Sequence, residues 1–209
     1  MPTLAAAHAV PPDPPLTDGA IALRAWRRSD VGELARCCDD EEIARWLDSV
    51  PHPYTEADAA DYVGRAARWW REGSFFPFAV TDAADGRLLG AVGCGWADET
   101  ARVAELGYWT RSDARGRGTA PAALRLASRW VIETLGAERV QVRVEVENRA
   151  SQRVAEKAGF TREGVLRSSG WSGRRRRRLD FVMYSLLRLE LAAASSRPTR
   201  PPGEAGRPS

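Results

Sequence analysis

Between residues 104 and 135 an apolar run, a glycine-rich turn and an amphipathic run follow one another directly, and this succession constrains the chain more than any other stretch. Ala104-Glu105-Leu106-Gly107-Tyr108-Trp109 reads as a strand, and Leu124, Leu126, Ala127, Val131, Ile132 and Leu135 recur at helical spacing. Joining them is Arg115-Gly116-Arg117-Gly118-Thr119-Ala120. The first amides of a helix have no intrahelical partner and sit at the positive end of its dipole, so such a turn can hold a phosphate by main chain alone. Glycine keeps a side chain from blocking that approach. Two familiar glycine loops do not fit. A dinucleotide fingerprint needs a third glycine where this chain has Pro121, and a P-loop needs Gly-Lys-Ser/Thr, whereas the sole lysine is Lys157.

Around that centre the patterning predicts a single domain. Ile21 to Trp26 alternates as a strand; Val31 to Leu47 is helical in pattern; Thr55-Glu56-Ala57-Asp58 resembles a helix-start box whose helix runs to Gly73. Phe76 to Val80 and Leu88 to Trp96 read as strands joined by the turn Asp82-Ala83-Ala84-Asp85-Gly86. After the central strand, turn and helix, residues 139–146 alternate with period two, which makes a strand, helix, strand crossover and hence a parallel pair. Asn148 starts a short helix ending at Gly159, and residues 160–166 and 179–187 close the domain as strands. The expected fold is α+β: a mixed, mostly antiparallel twisted sheet with helices on both faces and a central parallel pair. Residues 1–18 and 192–209 have the composition of disordered tails flanking a domain at 19–191.

Composition excludes several classes. With 209 residues and 44% hydrophobic content the chain can bury a proper core. Its net charge of +3 advertises neither nucleic acid nor an anionic membrane. Cys37, Cys38 and Cys94 have no metal-like or redox spacing, so neither a zinc site nor a disulfide framework is expected and a reducing, cytoplasmic setting is the simplest. No signal peptide or membrane span is recognisable.

Arg115-x-x-Gly118-x-Ala120 resembles the Arg/Gln-x-x-Gly-x-Gly/Ala signature of the GNAT acyltransferase superfamily, and the order of elements over residues 20–190 resembles it too. Glu105-Leu106-Gly107-Tyr108-Trp109, Asn148-x-x-Ser151-x-Arg153-Val154-x-Glu156-Lys157-x-Gly159-Phe160 and Asp180-x-x-x-Tyr184-Ser185-Leu186-Leu187 are similar to the branch containing the ribosomal-protein alanine acetyltransferases. The resemblance implies an enzyme that passes an acetyl group from acetyl-CoA, as co-substrate and without metal, directly to a primary amine of a small molecule or a peptide N-terminus. It implies that Arg115, Gly116, Arg117, Gly118, Thr119 and Ala120 hold the pyrophosphate, that Trp109, Thr110 and Arg111 meet the pantetheine, and that Asn148, beside capping its helix, contacts the pantetheine or acyl group. Glu105 would take the amine proton. Many family members protonate the leaving thiolate with a tyrosine seven residues after the asparagine; here that residue is Ala155, and Ser151 is the hydroxyl left for the role. By the same resemblance, Trp46, His52, Tyr54 and Trp70, with Trp69, fall in segments that line the acceptor side in related enzymes.

Three other readings stay open at this level: an acyl-CoA-binding regulator without transfer, an antibiotic or small-amine acetyltransferase, and an arginine-mediated nucleic-acid module. The last is motivated by the run Arg174 to Arg178, which Trp171-Ser172-Gly173 and Asp180 frame as a solvated hairpin turn. Nucleic acid is therefore not an expected partner, and a homodimer is an open expectation.

Overall fold

Eight strands form one sheet in the computed structural model, which describes residues 10–195, in the order β1-β2-β3-β4-β5-β6-β8-β7. β1 (Leu16–Thr17), β2 (Ile21–Arg24), β3 (Phe75–Asp82), β4 (Leu88–Asp98) and β5 (Val103–Thr110) pair antiparallel in succession. β5 then pairs in parallel with β6 (Arg139–Glu145), and β8 (Arg177–Leu187) lies antiparallel between β6 and the edge strand β7 (Thr161–Ser172). The expected fold class is the one observed.

Alternation along the strands sorts their side chains onto two faces. Ala79, Leu88 and Ala91 pack with Leu34 and Cys38 of α1 (Val31–Cys38) and with Ala59, Val63 and Ala66 of α3 (Glu56–Glu72). Phe78, Val80, Leu89 and Val92 face the other way, onto α4 (Thr119–Thr134) and α5 (Arg149–Lys157). Trp70 joins this second core. Its ring packs edge-on against Phe76, Phe78 and Trp130 with centroids 5.1–5.5 Å apart, and its Nε1 donates to the Pro77 carbonyl at 3.1 Å.

Local rules set several boundaries. α3 starts at a reciprocal capping box, with Thr55 N donating to Asp58 Oδ2 at 2.8 Å and Asp58 N to Thr55 Oγ1 at 3.2 Å, and it stops at Gly73 with φ +65°. The helical stretch expected over 31–47 is divided. Asp40 breaks it by accepting Ile43 N on Oδ1 at 3.1 Å, which starts a separate α2 (Glu41–Trp46). Two short elements fall in the stretches read as tails: Leu16 packs on the core from β1, and α6 (Arg188–Ser195) follows β8 directly. Residues 1–9 and 196–209, the rest of those tails, lie outside the described residues. Among the described residues no helix is long and apolar enough to cross a membrane, and no group of three His, Cys, Asp or Glu side chains could hold a metal ion.

Candidate active site

The parallel pairing of β5 with β6 ends at Glu105↔Gln141, although β5 stays paired with β4 as far as Gly90↔Thr110. Beyond Glu105 the two strands part. Main-chain groups of residues 106–110 that would have met β6 face a cavity of about 390 Å³ whose opposite wall is Val142, Val144 and α5. At the mouth of the splay lies the turn before α4.

That turn is built to donate. Gly116 has φ +77° and Gly118, the N-cap of α4, φ +87°. A Cβ at either would meet no protein atom within 4 Å, so within the protein itself it is the backbone conformation and not crowding that calls for glycine there. No side chain caps α4, Pro121 has no N–H, and the amides of residues 116–120 donate to no other group among the described residues. A run of unspent amides at a helix N-terminus suits a pyrophosphate. Trp109, Thr110, Arg115, Gly116, Gly118, Thr119, Ala120, Asn148 and Ser151 all border this cavity, as do Arg153 and Lys157. Nothing in the local sequence sets the last two, as cavity-lining cations, apart from ordinary helix-surface residues.

Arg115 folds back across the turn, its Nε donating to the Thr110 carbonyl at 3.1 Å and its Nη2 to Asp40 Oδ2 at 2.7 Å. Asp40 therefore fastens the start of α2 to the cradle. Arg111 does not reach the cavity: its amide donates to Leu89 O, and its guanidinium is held by Glu33, Asp113 and the Leu88 carbonyl. Arg117 is exposed and borders neither cavity. Asn148 Oδ1 accepts Ser151 N at 3.0 Å, which seats α5 and leaves the amide nitrogen for another partner.

A second cavity, of about 880 Å³, opens on the other side of β5. Tyr54, Tyr62, Trp69, Phe75 and Trp96 give it an aromatic wall, and Asp58, Asp61 and Glu105 give it carboxylates. Gly93 makes part of the floor, because a Cβ there would sit 2.3 Å from the Phe75 ring. The two cavities share Leu47, Leu106, Gly107, Tyr108, Trp109 and Arg143, so they meet along β5.

Of the side chains expected on the acceptor side, Tyr54 is in the lining of this cavity. Trp70 is not: it is 4% exposed in the core, and Trp69, one residue earlier on the other face of α3, reaches the cavity instead. Trp46 borders the smaller cavity, its Nε1 donating to Glu42 Oε1 at 2.7 Å. His52 faces a separate surface groove with Arg174 and Arg175, its Nδ1 3.4 Å from Asp39 Oδ1.

Glu105 is braced. Gln141 Nε2 donates to Oε2 at 2.8 Å, Arg143 Nε to both oxygens at 3.0 Å and Arg143 Nη2 to Oε1 at 2.8 Å, so the carboxylate holds β6 at the branch point. Tyr108 carries the contact that sequence reasoning missed: its hydroxyl lies 2.6 Å from Ser151 Oγ. Burial pushes its phenol up to about 12, against a smaller opposite pull from Ser151, so the group stays protonated through neutral pH.

The arginine run is only in part a solvated turn. Arg175 pairs with the buried Glu145, Arg177 with Glu147, and Arg174 donates to the Val50 carbonyl. These contacts tie the β7–β8 turn to the end of β6 and to the loop roofing the larger cavity.

Splayed strands, a donor-rich helix start and an adjoining cavity are the parts a transferase needs to hold a long phosphate-bearing co-substrate beside an acceptor. The chain belongs to the acetyltransferase (GNAT) domain family, whose model matches residues 21–161. It is 35% identical over 175 residues to YdaF of Bacillus subtilis (strain 168), named provisionally as a ribosomal N-acetyltransferase, covering 81% of this chain and 92% of that protein. Mycobacterium smegmatis RimJ, solved with CoA-disulfide, has a TM-score of 0.72, with 22% identity over 84% of this chain and 89% of its own. Spermidine N-acetyltransferase from Vibrio cholerae, solved with CoA and spermine, gives 0.69 with 20% identity over 84% of this chain and 99% of its own. The protein is accordingly an acetyl-CoA-dependent N-acetyltransferase that acts on an amine.

Proposed function

We propose that the acceptor is the N-terminal amine of a peptide or protein whose first side chains are apolar, delivered through the larger cavity to acetyl-CoA held in the smaller one. The observation that carries this reading is the shared wall, Leu106 to Trp109, along which an open aromatic cavity meets the cradle. An apolar wall with Asp58, Asp61 and Glu105 in its lining, the last two paired with Arg65 and Arg143, suits an amine carried on a hydrophobic body. YdaF, by its name, points to a ribosomal acceptor. Acetyl-CoA supplies the activated acyl group; the remaining work belongs to main-chain and side-chain groups of this chain. The amides of residues 116–120, with Arg153 and Lys157, hold the phosphates. Glu105 takes the amine proton, directly or through a water, on the lone-pair site that the three donor atoms of Gln141 and Arg143 leave open. Ser151 gives a proton to the departing sulfur.

Release of coenzyme A thiol, followed across peptides with apolar, acidic and basic N-termini and across polyamines and aminoglycosides, tests the acceptor. Apolar N-termini should give the highest kcat/KM, and preferential turnover of a polyamine or aminoglycoside would overturn the assignment. Glu105→Gln should lower kcat by roughly 10²-fold or more, most below the amine's pKa, with acetyl-CoA affinity retained. An unchanged profile would remove Glu105 from the chemistry.

A further inference from the structure

We propose that Tyr108 is the positioning residue for the leaving group: its phenol donates to Ser151 Oγ and so turns the serine's own proton toward the thioester sulfur. This rests on the reading of Ser151 as proton donor given above. The two oxygens are 2.6 Å apart, and either could be the donor on distance alone. Two considerations decide the direction. A phenol is a stronger acid than an alcohol, so the phenol is the better donor and the alcohol the better acceptor. If Ser151 donated instead, the phenol proton would find in the protein only the Ser151 carbonyl at 3.4 Å, well beyond the range of about 2.5–3.0 Å for a good O–H···O bond, and would have to turn to water. With Tyr108 donating, Ser151 keeps a free proton and borders the smaller cavity, while Tyr108 borders both cavities.

Ser151 is fixed at both ends. Its amide is held by Asn148 Oδ1 at 3.0 Å, and its hydroxyl by a ring fixed on β5. As the amine nitrogen bonds to the carbonyl carbon and the C–S bond breaks with its pair on sulfur, the Ser151 proton moves to sulfur. The Tyr108 proton then moves to Ser151 Oγ, and water in the larger cavity reprotonates the phenolate. The proton lost from nitrogen leaves by way of Glu105, so one proton departs to solvent and one returns. Because burial holds the phenol at about 12, Tyr108 is protonated at the start of each turnover.

Coenzyme A itself is the probe. Its affinity for the full chain is measured by calorimetry from about pH 6 to about pH 10, which brackets an ordinary thiol near 8.5 and yields the pKa of the bound thiol. A donor aimed at the sulfur stabilises the thiolate and lowers that pKa. Ser151→Ala and Tyr108→Phe should each raise it by about one pH unit, and Tyr108→Phe should add nothing in the Ser151→Ala background. Lost packing alone would weaken binding equally at every pH. The charged groups around the cavity, Glu42, Arg115, Arg143, Glu145, Arg153 and Lys157, are the same in every variant and so cancel. Incorporating 3-fluorotyrosine at position 108 keeps the packing, makes the phenol more acidic and should move the thiol the opposite way from Phe. A shift in Ser151→Ala with none in Tyr108→Phe or with fluorotyrosine overturns the inference and leaves the serine's role intact. No shift in Ser151→Ala overturns both. An equal Tyr108→Phe shift in the Ser151→Ala background would mean that the phenol acts on sulfur directly, which also overturns it.

Discussion

Gly118→Ala isolates the conformational demand of the cradle. Gly118 has φ +87° and ψ −2°, and its added Cβ would meet nothing within 4 Å, so in the free protein the substitution costs backbone strain and no steric clash. A non-glycine residue in the left-handed region costs about 1–2 kcal/mol. At about 2–4 °C per kcal/mol for a domain of this size, melting should fall by roughly 2–8 °C. Gly64 is the control, since it lies inside α3, also has open space around it and has no positive φ. Gly64→Ala should therefore raise stability by roughly 0.5–1 kcal/mol. Saturating coenzyme A, at about a hundred times Kd, should stabilise the parent by about 2.7 kcal/mol. In Gly118→Ala that increment should shrink, because relaxing the strain turns the amides of residues 116–120 from their common focus. Differential scanning fluorimetry with and without coenzyme A reads both effects. If Gly118→Ala melts with the parent and gains the same increment, the left-handed N-cap does not build the phosphate site.

Two further predictions concern the sheet's far edge. Glu163 accepts both Arg139 Nη atoms at 2.6 Å and Ser185 Oγ at 2.7 Å, and chiefly the Arg139 hydrogen bonds lower its pKa to about 2. A folded pKa below the unfolded one means a contribution complete above about 4.5 and lost as pH falls toward 2, so Glu163→Gln should flatten the acid limb of the melting curve in that window; an unchanged limb would refute it. Within the arginine run, Arg175→Gln strands the buried Glu145 and should cost ~1–3 kcal/mol, discounted for the arginine's own exposure, whereas Arg176→Gln should stay within about 0.5 kcal/mol by urea unfolding. Equal effects would return the whole run to a solvated turn.

How far the sequence could be read depended on how far apart the deciding residues lie. The Thr55 box and Gly73 stop of α3, the Asn148 cap of α5 and the glycine turn before α4 are each set within a few residues, and each was legible. Trp69 and Trp70 were not separable, because adjacent helical positions differ by about 100° and only the sheet decides which one it buries. The split between α1 and α2 was masked by apolar spacing that continues across Asp39 and Asp40. Arg175 meets Glu145 across 30 residues, and Tyr108 meets Ser151 across 43, so neither contact leaves a local pattern. The end of the β5–β6 pairing was invisible for a similar reason. Both strands go on alternating past Glu105 and Gln141, and pairing is a property of two strands at once.

That end point explains why one strand carries so much of the site. Up to Glu105, β5 is an interior strand with partners on both sides; past it, the same backbone keeps β4 and gives up β6. Glu105 then lines only the larger cavity, Thr110 only the smaller, and Leu106 to Trp109 border both, so Glu105 can serve the acceptor side, Tyr108 the junction and the amides and carbonyls of 106–110 the cofactor side. The brace from Glu105 to Gln141 and Arg143 holds the last paired rung, which gives that carboxylate a structural task beside the chemical one proposed for it. Glu105→Gln should keep the Gln141 contact in part and lose the charge that holds Arg143, so a fall in kcat unaccompanied by a change in coenzyme A affinity separates proton transfer from the bracing of the splay. Loss of both together would show that the branch point itself had moved.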